Sequence, residues 1–340
     1  LEMSGNKHKY IDEILYIYNR TNPLNDDKVD HSMQLGFERE IRGKKKYDKI
    51  SYGTDPLELL NSKRFDIAAK TIYARNRIKN TDSGFPTELY LEHLKVWNNF
   101  NEKFPEKIGE KSFTDTFDNL LSDIGTNGFD ANRGKIPTIQ GSAINGAHRI
   151  ASSIVTENEV ETYEGDMSEG QYNCNFQYFK NKKNFVDTGL CELYLDEMAL
   201  EFCRNKKNLY TITIFPSHNT DVANILSHIN KKNEIIYCKK VTLNDCGKTN
   251  FVHNLYHNES WIGSREAGYP GVMEKARLCF SKGNDIYTTL VEEDNIDNMV
   301  KLKEEIRSMC NVGKHSVHIN DTQEETWRIA SSVYNENSVH

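Results

Sequence analysis

Long apolar runs are missing from this chain of 340 residues, and none approaches the roughly 20 residues needed to cross a bilayer. The segment from Leu1 to Lys9 is polar and lacks the apolar core of a secretory signal. The seven cysteines are odd in number, and no two of them have Cys-x-x-Cys spacing. This usage is typical of free thiols in a reducing cytoplasm and argues against a disulfide framework or a zinc cluster. We therefore expect a cytoplasmic protein that does not span a membrane.

The chain also has no excess of positive charge, since it contains 43 Lys and Arg residues and 50 Asp and Glu residues. The formal net charge of −7 gives no general attraction to nucleic acid, although a local basic site remains compatible with it. Hydrophobic residues make up 37% of the chain, which is enough for a proper core. At about 100–200 residues per domain, the length predicts two domains or one elaborated domain, and the oligomeric state stays open.

Hydrophobic periodicity divides the chain into three regions. Residues 1–105 are mostly helical by pattern, with a short helix expected at 8–20 and a polar segment at 20–50. Residues 106–205 begin with a compact order of helix, short strand, turn, helix and strand. Residues 206–340 alternate strands with helices, which is typical of an α/β layer structure. The predicted fold class is α/β, with an α+β N-terminal half.

The stretch AINGAHRIASSIV, residues 143–155, has a glycine and two basic side chains where an apolar helix begins. A helix N-terminus exposes unpaired N–H groups and a partial positive charge. Gly146 removes the side chain that would block a close-approaching ligand, and Asn145 can cap the helix. His148 and Arg149 add donors that suit phosphate oxygens. These features predict an anion site, most simply for phosphate; the alternative is a capped amphipathic helix whose arginine pairs with an aspartate.

The wider segment KIPTIQGSAINGAHRIASSI follows a helix and a glycine-containing stop. In this order it resembles the ParB/sulfiredoxin-like superfamily, in which a short strand leads to a D/N-G-x-H-R or G-x-x-R turn. That turn opens a helix that binds nucleotide phosphates. The resemblance covers residues 110–165 and implies that ATP or another nucleotide is bound with magnesium. The turn residues that it implies are Asn145, Gly146, Ala147, His148 and Arg149.

Departures from the family patterns narrow the choice of branch. Sulfiredoxins have a reactive cysteine just before the His-Arg pair, where this chain has Ala147. Partition proteins continue into a basic helix-turn-helix region, which the acidic charge and the α/β pattern fit poorly. The branch that includes a free-serine kinase fits best, and the whole chain also looks like bacterial proteins linked to surface-polysaccharide gene clusters. The resemblance thus implies a phosphotransferase that acts on a hydroxyl of a sugar, polyol or small metabolite.

A second group of candidate residues lies in GKHSVHINDTQEET, residues 313–326. Ligands gather beyond the carboxyl ends of strands in an α/β layer, and His318 and Asp321 are expected at such an end. We expect His318 to act as general acid or base, and Asp321 to act in catalysis or to hold magnesium. Alternation along a strand places His315 and His318 on opposite faces, which argues against a simple metal site. The alternative is that Thr322, with a glutamate three residues later, only begins a helix.

A third candidate is the loop YHNESWIGSREAGYPGVMEKAR, residues 256–277, which is rich in glycine and charge. Loops held by a rigid scaffold often carry binding and catalytic residues. Glu259 is a candidate catalytic carboxylate, and Arg265 and Lys275 are candidate phosphate-binding groups. The alternative is a loop with one buried tryptophan and surface charges.

The segment RFDIAAK, residues 64–70, is expected on a helix. Arg64 or Lys70 could reach the nucleotide site from there. The simpler interpretation is a surface ion pair between Asp66 and Lys70, which are four residues apart.

These patterns support three functional hypotheses. The first is a kinase-like phosphotransferase whose partners are a nucleotide and a small-molecule or glycan acceptor. Its turn would hold the nucleotide's phosphates and a carboxylate would take the acceptor's proton, so that catalysis is mostly positioning and charge neutralisation. The second is a regulatory module that binds a nucleotide without chemistry. The third is a ParB-like nuclease, for which DNA binding would weaken steeply with salt.

Overall fold

The computed structural model describes residues 49–81, 84–103, 106–165, 173–182 and 190–335. The helix expected at 8–20 and the polar segment up to residue 48 lie outside them. The chain divides into two compact units, Leu1–Cys191 and Glu192–His340. This division lies before the helix Glu192–Asn205, whereas the sequence placed a soft boundary near 205, at the end of that helix. The helix packs against the last helix of the second unit.

The first unit combines helices with a four-stranded mixed sheet. Its strands lie in the order β1 (Ile50–Thr54), β6 (Val160–Glu164), β4 (Ile136–Ile139) and β5 (Ser142–Ala143). Strands β4 and β6 run parallel, while β1 pairs antiparallel with β6 and β5 pairs antiparallel with β4. A separate antiparallel pair is formed by β2 and β3. The elements in chain order are β1 (Ile50–Thr54), α1 (Asp66–Lys79), α2 (Gly84–Asn98), β2 (Asn101–Lys103), β3 (Glu106–Ile108), α3 (Glu110–Asn127), β4 (Ile136–Ile139), β5 (Ser142–Ala143), α4 (Ala147–Thr156), β6 (Val160–Glu164) and α5 (Phe176–Asn181).

Helices α1 and α3 bury very different shares of their surface. The sequence predicts an apolar stripe on α3 that consists of Phe113, Phe117, Leu120, Leu121 and Ile124. The stripe is confirmed, since four of these residues are buried and Leu120 is half-buried. Helix α1 is buried at every position from Asp66 to Ala74, charged side chains included. It packs against α2 and α4, so it is a central helix of this unit.

The second unit contains a four-stranded sheet of order β10-β7-β9-β8, and all three neighbouring pairs are antiparallel. The expected alternation of strands with helices is confirmed, and with it the α/β class. The elements in chain order are α6 (Glu192–Asn205), β7 (Leu209–Ile214), α7 (Val222–Lys232), β8 (Ile235–Thr242), α8 (Asp245–Tyr256), α9 (Pro270–Cys279), β9 (Asp285–Glu292), α10 (Ile296–Cys310), β10 (Val317–Ile319) and α11 (Gln323–Val333).

The two faces of the second sheet are covered by different helices. Ile212 and Ile214 of β7 face α7 and α10 and belong to an apolar cluster with Ile225, Val291 and Leu302. The residue between these two isoleucines, Thr213, points to the other face because side chains alternate along a strand. Helix α11 packs against β7. The Asn320 side chain connects the two, since its Oδ1 accepts from the Thr211 hydroxyl and its Nδ2 donates to the Thr326 hydroxyl in α11. In the described part of the chain, no helix is long and apolar enough to cross a membrane.

Candidate functional site

The turn before α4 takes the conformation that its glycine predicts. Gly146 is buried, has φ +87° and forms the N-cap of α4. A Cβ at this position would lie 3.3 Å from Arg149 Nη2 and 3.5 Å from Ile136 Cγ1. The left-handed backbone favours glycine here, and a Cβ would also require the Arg149 guanidinium to shift by a few tenths of an ångström. Asn145 does not cap the helix as expected, because its Oδ1 accepts from the Gly146 N–H at 2.6 Å.

Arg149 lies beneath the turn, with 6% of its surface exposed. Its Nη1 donates to the Gly134 carbonyl, and its guanidinium lies 5.6 Å from the centre of the Phe129 ring. These contacts fix the guanidinium beside the N-terminus of α4. The positive charge and the helix dipole therefore act at the same place.

His148 is turned towards an aromatic cluster on α1, α2 and α3. Its Nε2 lies 3.0 Å from the Tyr90 hydroxyl, and its ring meets Phe117 edge to face at 4.6 Å. Tyr73 stacks on Phe117 in the same cluster. The imidazole is therefore held by rings, and its role as a phosphate donor stays a prediction. Ala147 is buried at the start of the helix.

A buried ionic network lies on the other side of this turn, and the sequence did not predict its burial. Arg64 Nε and Nη2 donate to the two oxygens of Asp66 at 2.8 and 3.0 Å. Lys70 Nζ donates to Asp66 Oδ2 at 2.9 Å and lies 3.2 Å from His93 Nε2. Arg64 Nη1 donates to the Ala143 carbonyl, which connects the network to the turn. The prediction that Asp66 and Lys70 pair is confirmed, but the prediction of a surface pair is wrong, since every member is at most 5% exposed.

Burial and charge act in opposite directions on this network. Burial raises the pKa of Asp66, but the charges of Arg64 and Lys70 outweigh it and hold that pKa well below its usual value. Burial lowers the pKa of His93, and the charge of Lys70 lowers it further. The imidazole is therefore neutral and can accept a hydrogen bond from the ammonium. Asp66, the carboxylate of this four-residue network, is therefore ionised and pairs with two cations, Arg64 and Lys70.

His318, the expected acid or base, is engaged by the start of α11. Its Nε2 lies 3.1 Å from Glu325 Oε1, and its ring meets Tyr256 edge to face at 5.1 Å. Glu325 Oε2 accepts from the Asp321 N–H at 3.0 Å, and Thr322 Oγ accepts from the Glu325 N–H at 3.2 Å. Burial raises the pKa of Glu325, but these bonds from His318 and Asp321 bring it below its usual value. The capping interpretation of this segment is confirmed.

Replacing Thr322 with alanine should destabilise the second unit by about 1 kcal/mol, because the Glu325 N–H loses its capping oxygen. Chemical denaturation monitored by circular dichroism measures the effect. Ser331→Ala in the same helix is the control, since that hydroxyl bonds only the carbonyl three residues earlier. Equal stability of the two variants would contradict a capping role for Thr322.

The other predicted site residues of the second unit do not form one site. They are Asp321, Glu259, Arg265 and Lys275. Asp321 is exposed and its Oδ1 lies 3.4 Å from Lys303 Nζ. Glu259 and Arg265 are exposed on their loop, whereas Lys275 is buried. Among the residues that the structure describes, no three His, Cys, Asp or Glu side chains form a metal site.

The ligand site expected at the strand end of His318 and Asp321 requires parallel strands, whereas neighbouring strands in the sheet of the second unit pair antiparallel. Carboxyl ends of its strands therefore alternate between the two edges and do not gather at one. Strand β10 is also only three residues long, so His315 lies in the 3₁₀ turn Gly313–His315 before it. The prediction that His315 and His318 point to opposite faces required a longer strand.

The chain matches no family model, no curated protein and no solved structure, so its resemblance to the ParB/sulfiredoxin-like superfamily stays a prediction.

Proposed function

We propose that the protein is a nucleotide-dependent phosphotransferase, and that its first unit holds the nucleotide's phosphates at the N-terminus of α4. The observation that carries this proposal is the left-handed conformation of Gly146 at the N-cap of α4, where a Cβ would lie 3.3 Å from Arg149 Nη2. Such a turn lets a ligand approach the first N–H groups of a helix of 10 residues. The acceptor would be a hydroxyl of a sugar, a polyol or another small metabolite. A hydroxyl of a glycan is equally compatible with this proposal.

Charge around the turn supports binding of an anion. The Arg149 guanidinium is fixed within the turn's own packing, where it adds a full positive charge to the helix dipole. On the other side, Arg64 binds the Ala143 carbonyl from a network of two cations and one carboxylate. Phosphate groups of a nucleotide complement such a region better than a neutral ligand does.

A second candidate function is nucleotide binding without chemistry. It is favoured by the arrangement of the three predicted catalytic residues, since His318 binds Glu325 while Asp321 and Glu259 are exposed. None of the three contacts another through a hydrogen bond that the structure describes. A regulatory or scaffolding module needs no such constellation.

Purified protein separates these functions. ATP, ADP and CTP are incubated with magnesium and a panel of serine, sugars and polyols, and nucleotide consumption is followed with phosphorylated product by mass spectrometry. Product formation supports the phosphotransferase. Binding without turnover supports the module, and cleavage of added DNA supports a nuclease. Absence of nucleotide binding in calorimetry contradicts the first two.

Replacing Arg149 with alanine should weaken nucleotide binding about 10- to 100-fold, which corresponds to the loss of one charge-assisted interaction. Calorimetric titration with the nucleotide measures the change in Kd. The control is Arg133→Ala, because Arg133 lies on the neighbouring loop, is half-exposed and pairs with Asp123. An unchanged Kd in a folded Arg149 variant would show that this side chain is structural.

A further inference from the structure

Lys275 of α9 is a buried cation in the second unit, with 8% of its surface exposed. Its Nζ donates to the Lys314 carbonyl at 2.6 Å and lies 3.4 Å from His315 Nδ1. It also lies 5.4 Å from the centre of the Tyr256 ring. All of these groups are uncharged if His315 is neutral. Among the residues that the structure describes, the ammonium is therefore held in place without a counterion.

The neighbouring helices α9 and α10 carry carboxylates that are paired with other cations. Glu274 binds Arg277 at 2.7 Å, and Glu304 binds Arg307 at 2.5 Å. Across the described ranges, no carboxylate lies within 4 Å of the Lys275 ammonium. Burial lowers the pKa of Lys275, and the charges of Lys314 and Arg307 lower it further. Because buried lysines are normally paired, this one needs an explanation beyond packing.

Arg307 supplies a second, independent observation. Its Nη1 binds Glu304, but its Nε is buried and has no hydrogen-bond partner within the part of the chain that the structure describes. It lies in the last turn of α10, close to the 3₁₀ turn that carries Lys314 and His315. The Lys275 ammonium lacks a negatively charged partner and the Arg307 Nε lacks an acceptor, and the charge of Arg307 acts on Lys275, so one anionic group can serve both.

We propose that the Lys275 cluster, defined as Lys275, Arg307, Lys314 and His315, binds the phosphate group of a small molecule. A phosphate carries close to two charges and several acceptor oxygens, so it can accept from an ammonium and a guanidinium together. Lys314 is exposed and His315 is half-exposed, which leaves a path from solvent. Arg265, the other candidate from the same loop, is exposed and is not part of the cluster.

Aromatic rings beside the cluster favour an organic phosphate. Tyr256 lies under Lys275 and packs against Trp261 with ring centres 5.1 Å apart. Trp261 is 44% exposed, so a face of an indole is open next to the cations. A flat group of the ligand can pack there while its phosphate binds the cluster. This site lies wholly in the second unit and does not depend on nucleotide binding at α4.

The test uses the wild-type full chain and inorganic phosphate as the probe. Lysines are acetylated slowly with a water-soluble reagent, and the rate at each lysine is read by peptide mass spectrometry. Phosphate at ten times its Kd should slow modification of Lys275 and Lys314 about tenfold, because only the free site reacts. Lys301, exposed on α10, should react at an unchanged rate. Equal rates at Lys275 with and without phosphate overturn the proposal.

Two further arms make the test specific. Acetate at the same concentration should protect Lys275 much less, and equal protection would overturn the assignment to phosphate. The Lys275→Met variant should lose at least about tenfold in phosphate affinity relative to Lys301→Met, since a charge-assisted contact is removed. If Lys275→Met does not fold, the wild-type protection experiment decides alone. Arg149→Ala should keep the protection of Lys275, so failure of the α4 site and failure of this site are distinguishable.

Discussion

Exchange of Asp66 for asparagine is expected to destabilise the first unit by about 3–5 kcal/mol, the cost of removing one partner from a buried ionic pair. The asparagine has nearly the same size, but it leaves Arg64 and Lys70 as two buried cations without a carboxylate. Arg64 also loses the group that orients it towards the Ala143 carbonyl. The variant should therefore be less stable and should bind nucleotide at the α4 turn less tightly.

The same substitution should change the dependence of stability on pH. The pKa of Asp66 is held below its ordinary value of 3.8 in the folded chain. Its stabilisation is therefore fully present above pH 3.8 and is lost as the pH falls and the folded carboxylate takes a proton. The difference between wild type and the asparagine variant should be largest near neutral pH and should shrink in acid.

Trp97 allows this prediction to be measured for the first unit alone, because the other two tryptophans, Trp261 and Trp327, lie in the second unit. Denaturant unfolding is followed by the fluorescence of Trp97 after both others are changed to phenylalanine. Asp115→Asn is the matched control, since its ion pair with Lys111 is exposed and contributes about 0–1 kcal/mol. A loss from Asp66→Asn no larger than from this control would contradict the role given to the network.

Most helices and strands could be predicted because their signals are local. The α3 stripe, the glycine turn before α4 and the alternation of strands with helices in the second unit are each specified by neighbouring residues. The sequence also indicated the capping motif that begins α11. Short elements such as β10 were predicted too long, because their ends depend on pairing with β7.

Burial of charged groups could not be predicted from the sequence. Asp66 and Lys70 have the spacing of an ordinary surface pair, and only the packing of α1 against two other helices removes them from solvent. Lys275 could be named as a candidate but not separated from Arg265, since both lie in a charged loop by sequence. Lys275 is the buried one of the two because it contacts the distant turn Gly313–His315.

Pairing direction in the second sheet was the other missing information. Alternation of strands and helices fits both parallel and antiparallel sheets, and the expected ligand site at His318 and Asp321 depended on the parallel case. Antiparallel pairing of β10 with β7 removes that argument. Candidate groups of the second unit thus have to be assessed from their own contacts, and this is what favours Lys275 over His318.

Exchange of Gly271 for alanine should destabilise the second unit by about 3 kcal/mol, the upper part of the usual range for overpacking. Gly271 follows the first residue of α9, where the helix lies against the 3₁₀ turn Ser260–Ile262. A Cβ there would lie 2.1 Å from the Trp261 carbonyl oxygen and 2.9 Å from the Ile262 Cα. Both atoms belong to backbone, so a rotamer change cannot relieve the overlap and α9 or the turn must move.

Gly268→Ala is the matched control for this prediction, because it adds the same methyl group three residues earlier in the same loop. Gly268 has φ +71° and its Cβ would meet nothing within 4 Å, so its cost is backbone strain of about 1–2 kcal/mol. Denaturant unfolding followed by Trp261 fluorescence, with Trp97 and Trp327 changed to phenylalanine, compares the two variants. Should Gly271→Ala prove no less stable than Gly268→Ala, close packing of α9 on the turn is not what requires glycine at 271.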